Sequence, residues 1–127
     1  MIKVTLEQLI RKKFEKDGKR TATKDIYIES LDGNITFNNP TDTMRIEYSE
    51  RVKSESYIDM IDAMVKLIYD CCPMLHSKEL QESCEVDYPY DIVRAIFDIS
   101  EITDLGIKLI NFFDDDEEEQ DEDKLKN

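Results

Sequence analysis

The sequence predicts a mainly α (α+β) domain of five to six helices carrying one small N-terminal β-hairpin. Three observations predict it. The 127 residues hold only 3 Gly and 3 Pro, too few turn-formers for a many-stranded sandwich, which needs a turn every ten residues or so. Apolar residues recur at spacings of three and four through most of the chain. One stretch, near 25–38, switches to alternation around Asp32-Gly33. The division that follows is a single helical domain over 1–113 and an acidic tail over 114–127.

Taken in order, Thr5-Leu6-Glu7-Gln8 has the form of a capping box, and Leu6, Leu9, Ile10 and Phe14 make a narrow apolar stripe behind it. A helix over about 5–17, ending near Gly18, is expected. Its other face is mostly basic, so on its own it docks weakly. Ile26 and Ile28, then Ile35 and Phe37, alternate with polar residues on either side of Asp32-Gly33, which is expected to form the hairpin turn. Two strands alone are marginal in water, so the hairpin must lie on helices or on a partner. After Pro40, Thr41 or Asp42 caps a short helix bearing Met44, Ile46, Tyr48 and Val52.

The most regular stripe comes next: Tyr57, Ile58, Ile61, Met64, Val65, Ile68, Cys71 and Cys72 share one face, and Pro73 stops the helix. This is the expected central core helix. Ser77 starts a shorter helix to about 84, and Pro89 takes a first-turn position for a helix with Ile92, Val93, Ile96 and Phe97. Ser100 is expected to cap a last helix through Ile102, Leu105, Leu109, Ile110 and Phe113, with Gly106 a tolerated weak point inside it. From Asp114 an almost unbroken acidic run lacks apolar residues, a composition expected to stay disordered.

Charge excludes several classes of function. The net charge is −13, but residues 1–24 carry eight basic groups against three acids. Residues 114–127 carry nine acids against two lysines, leaving the middle with an excess of eleven acids. Phosphate is repelled by most of such a surface, so neither nucleic acid nor an anionic membrane is expected as a partner. No window approaches the roughly 20 apolar residues that cross a bilayer. The Met1-Ile2-Lys3-Val4 start lacks an apolar signal core, and three cysteines, two of them adjacent, make a poor disulfide framework. A cytoplasmic location is therefore the expectation.

No catalytic constellation stands out. A Gly-rich phosphate cradle and a nucleophile elbow are missing, and His76 is the only histidine. Cys71, Cys72, His76 and Cys84 lack the usual Cys-x-x-Cys pair, and adjacent cysteines on a helix diverge by about 100°. They read better as small core hydrophobes than as zinc ligands. Carboxylate pairs such as Asp59/Asp62 and Asp87/Asp91 fit a solvated face better than a metal or glycosidase site. No enzyme activity and no cofactor or metal is expected.

Surplus apolar surface is the remaining signal. Met60 and Leu67 lie beyond the main stripe of the 57–72 helix, and Ile107 and Phe112 broaden the last one. With Leu6, Leu9, Ile10 and Phe14 they are the candidate partner-binding residues, for a polypeptide groove or for a homo-oligomer contact.

The order of these features resembles a known family. A leading Thr-Leu-Glu-Gln-Leu-Ile-Arg-Lys-Lys helix precedes Lys24-Asp25-Ile26-Tyr27-Ile28-Glu29-Ser30-Leu31-Asp32-Gly33-Asn34-Ile35-Thr36-Phe37. Tyr69-Asp70-Cys71-Cys72-Pro73, Leu75, Leu80 and Pro89-Tyr90-Asp91-Ile92-Val93 follow. Across most of 1–113 this resembles the XkdN-like tail assembly chaperones of phages and prophages of Gram-positive bacteria. The resemblance implies a non-catalytic protein of the bacterial host's cytoplasm, absent from the mature particle. Its implied partner is the tape-measure protein, kept soluble until tail-tube subunits, a second candidate partner, replace the chaperone. A longer frameshifted product is also common in the family. The acidic run after Phe113 is longer than the family pattern. Two competing readings are an acidic DNA mimic that inhibits a host nuclease, and a small structural component of a tail.

Overall fold

A computed structural model describes residues 2–113; the expected acidic tail over 114–127 lies outside the described residues. The core is built on one helix, Tyr57–Cys71, designated α3 in chain order. Ser56 starts it by accepting the backbone N–H of Asp59 at 3.3 Å, and it ends at Cys71, two residues before Pro73. Seven of its residues are buried: Ile61, Ala63, Met64, Val65, Leu67, Ile68 and Cys71. That arc is wider than the expected stripe because two helices flank α3. One is α2, Asp42–Val52, capped by Thr41; the other is α6, Ile99–Ile110.

Two expectations change with this geometry. Tyr57 and Ile58, on the predicted core stripe, are exposed in the first turn of α3, where neither neighbour reaches them. Gly106, expected as a mere weak point, is buried in the α3–α6 crossing. A Cβ there would lie 2.6 Å from Cγ of Met64, so the missing side chain is what lets the helices approach. Asp98, rather than Ser100, caps α6: it accepts the Glu101 N–H at 2.9 Å while the Glu101 carboxylate takes the Asp98 N–H at 3.2 Å. Both halves of a capping box are present. The bond from the Glu101 backbone, with Ser100 Oγ adding a second, holds the Asp98 carboxyl below its ordinary range.

The hairpin lies on this helical layer. Strands β1, Thr23–Ile28, and β2, Gly33–Asn38, pair antiparallel with Ile26 opposite Ile35. Alternation sends Ile26, Ile28, Ile35 and Phe37 inward, all of them buried, as two strands in water require. The connection is longer than the expected two-residue turn. Gly33 already pairs with Ile28, and a 3₁₀ turn over Glu29–Leu31 precedes Asp32, which takes the left-handed conformation at φ 48°. An Asp accepts that conformation more readily than most residues, and its carboxylate also receives the Tyr27 hydroxyl at 2.6 Å.

The remaining segments close the far side of the core. A 3₁₀ turn over Pro73–His76 buries Leu75. Helix α4, Lys78–Ser83, is capped by Ser77. Helix α5, Asp91–Ile96, buries Ile92 and Val93 and starts two residues after Pro89. Among the described residues no helix is long and apolar enough to cross a membrane.

Candidate partner-binding surface

The first helix, α1, spans Leu6–Arg20, three residues beyond the expected end. Gly18 does not stop it, since nothing there demands a left-handed residue, and Thr21 closes it instead. Its start is strongly fixed. Thr5 Oγ1 accepts the Gln8 N–H at 3.2 Å, and Gln8 Oε1 accepts the Thr5 N–H at 2.8 Å. Lys13 reaches Asp17 at 2.7 Å and, with Arg20 at 3.7 Å, keeps that carboxylate charged. The hydrogen bond from Lys13 is the main reason its pKa falls below the usual value.

No residue of α1 is buried. Leu6, Leu9, Ile10 and Phe14 are between 49 and 73% exposed, and Ile2 and Val4 extend apolar surface ahead of the helix. Four of the eight candidate residues thus share one open helix face. The others do not join them. Ile107 is exposed on α6, and Met60 is half-buried against the core. Leu67 and Phe112, expected as surplus surface, are 3% and 2% exposed and belong to the core. Leu67 lies under α2, whose Met44 and Tyr48 pack against the core. Phe112 is held by Lys24, whose ammonium donates to its carbonyl at 3.2 Å and sits 5.9 Å from its ring.

At its C-terminal end α1 meets the body. Asn39 Nδ2 donates to the Lys19 carbonyl at 2.8 Å, and the Lys19 ammonium lies 5.5 Å from the Phe113 ring. Between them opens a cleft of about 510 Å³ lined by Lys16, Lys19, Arg20, residues 39–43 at the start of α2, Arg45 and residues 110–113. Arg45 forms its floor, donating to the Ile110 carbonyl at 2.6 Å and to Asn39 Oδ1 at 2.7 Å. Its charge therefore closes the end of α6. Three separate segments build this cleft, so no local pattern could reveal it. The one signal was the basic excess of residues 1–24.

Elsewhere the reactive groups are occupied. His76 donates from Nε2 to the Tyr69 carbonyl at 2.8 Å and stacks on the Tyr69 ring. Cys71 and Cys72 are buried, and Cys71 Sγ contacts Met44 Sδ at 3.8 Å. Burial, with the nearby Asp70 charge, pushes the Cys71 thiol up to about 12; burial raises Cys72 as well. Asp62 pairs with Arg94 and Asp59 receives the Ser54 hydroxyl, consistent with a solvated face. Among the described residues no group of three or more His, Cys, Asp or Glu side chains could hold a metal ion.

No protein family, curated protein or solved structure matches the chain. The open face of α1 and the cleft at its foot are therefore the features on which function must be argued.

Proposed function

We propose that the protein is a non-catalytic assembly chaperone of a phage tail or tail-like bacteriocin, binding the tape-measure protein and keeping it soluble. The proposal joins the family resemblance of residues 1–113 to one observation: α1 is a fully formed, doubly capped helix whose apolar stripe is open. A helix already ordered before binding loses little further entropy on docking. Its Leu6, Ile10, Phe14 row, flanked by Leu9, suits another amphipathic helix at the usual interaxial separation of about 8–10 Å. A long tape-measure chain rich in such helices offers the complementary face. The excess of acids over the rest of the molecule keeps a complex soluble by repulsion between copies. The working site in this reading is the host cytoplasm, with the protein absent from the finished particle.

Co-expression with the tape-measure protein, followed by a solubility and pull-down assay, tests the reading. The expected result is a soluble complex that L9A/F14A disrupts while the variant itself stays folded. A tape-measure chain that remains insoluble and unbound overturns the proposal. Salt-sensitive capture of a host nuclease in its place assigns the acidic body to DNA mimicry.

A further inference from the structure

The apolar row of α1 changes character before it reaches the cleft. Continuing its spacing beyond Ile10 and Phe14 leads to Asp17 and then to Arg20, which lines the cleft. One helix face is thus apolar over its first turns and charged over its last. Asp17 is already engaged from two sides, by Lys13 at 2.7 Å and by Arg20 at 3.7 Å. It is the one acid on that row, and both of its neighbours are cations.

In the cleft itself positive charge dominates. Lys16, Lys19, Arg20 and Arg45 line it against a single carboxylate, that of Asp42, which stands 3.9 Å from Lys16. Two of the four cations rest on neutral partners. Arg45 is half-buried and donates to the Ile110 carbonyl and to Asn39 Oδ1, while Lys19 lies against the Phe113 ring. Such contacts satisfy hydrogen bonds and leave the charge in place, and a half-buried charge is screened less than an exposed one. The remaining wall is apolar, from Pro40, Ile110 and Phe113. A ligand that matches both parts carries a carboxylate on an apolar body. A bare inorganic anion would use the cations and leave the apolar wall wet.

We infer that the cleft takes an acidic end of the same helical polypeptide whose apolar face covers α1. The inference rests on the partner reading proposed above and adds a charge register to it. Phe14 and Lys19 are separated by a rise of about 7.5 Å along α1, so the partner's carboxylates lie about five residues beyond its last apolar contact. There Lys16, Lys19 and Arg20 donate to them, and Arg45 contributes charge from the floor. A partner helix with lysine or arginine at that register meets four cations and is rejected, so the cleft selects among amphipathic helices that the apolar row alone would accept equally.

Two fluorescently labelled peptides test it by anisotropy against the full chain. Each is an amphipathic leucine–alanine–glutamine helix of about eighteen residues, long enough to lie along α1. One ends in a short run of glutamates and the other in glutamines. The sign of the difference is diagnostic, because a net charge of −13 by itself would disfavour the glutamate probe. The expected result is the reverse, with the glutamate probe bound about tenfold tighter. K16Q/K19Q should bring the two probes to the same affinity, and K16R/K19R should keep them apart. Equal affinities for the parent chain, or a preference for the glutamine probe, overturn the inference and leave the helical-partner reading standing. A preference that survives K16Q/K19Q overturns it too, as does one abolished by inorganic phosphate at matched ionic strength, which would make the cleft a site for free anions. Binding of neither probe also overturns it, and co-expression with the tape-measure protein then decides the partner reading by itself.

Discussion

Helices α1 and α3 are matched in length, fifteen residues each, and both begin with a side-chain cap and carry an apolar stripe. One buries nothing and the other buries seven residues. Capping and periodicity decide that a helix forms and which way its apolar face points; they do not decide whether anything covers that face. For α3, the cover comes from α2, α5, α6 and the Pro73–His76 turn. For α1, the described protein supplies a foothold at its C-terminal end, through Lys19 with Asn39 and Phe113 and an exposed Lys16–Asp42 pair. The difference separates a helix that holds the fold from one available to a partner.

Substitutions in equivalent stripes should break the symmetry most clearly. Ile68→Ala removes a fully buried side chain from the middle of α3 and should cost about 2–5 kcal/mol in chemical denaturation. Gly106→Ala is next. Its methyl group meets Met64 Cβ and Cγ, so overpacking of about 1–3 kcal/mol outweighs the roughly 1 kcal/mol gained in helix propensity. A rise in melting temperature for this variant would mean that the α3–α6 crossing is looser than described. Smallest is Leu9→Ala on α1, expected within about 0.5 kcal/mol of the parent in the same assay while weakening partner capture.

The cysteines sharpen the contrast through pH. Cys71 is held up to about 12 against an ordinary value of 9.0, so in alkaline solution the unfolded thiol ionises before the folded one. Its contribution to stability is fully present below about pH 9 and is lost as pH rises toward 12. Denaturation midpoints across that window should fall, and Cys71→Ala should flatten the fall. At pH 8, a thiol reagent should modify the half-buried Cys84 well before Cys71 or Cys72.

Local chemistry was legible in the sequence where a residue acts on its own neighbours. The Thr5-Gln8 capping box, the caps at Thr41 and Ser77 and the stop before Pro73 all depend on contacts within a few positions. So does the inward alternation of Ile26, Ile28, Ile35 and Phe37. What depends on a distant partner was not legible. Leu67 looked like surplus because α2 was not yet placed over it, and Tyr57 looked like core because spacing alone did not show that the first turn of α3 is left uncovered. Phe112 needed Lys24, 88 residues away, to be seen as an interior residue. The candidate site divides the same way. Its apolar row on α1 followed from spacing, whereas the cleft assembled from three segments did not.

Arg45 carries a consequence for the order of events in time. Its guanidinium links the end of α6 to the loop after β2, two places that meet only when the chain is nearly folded. A contact that joins residues 65 positions apart is expected to form after the local elements it links. Its loss would be felt as a faster escape from the native state, with the rate of arrival little altered. The guanidinium thus acts as a latch: it sets how long the foot of α1, once built, stays built.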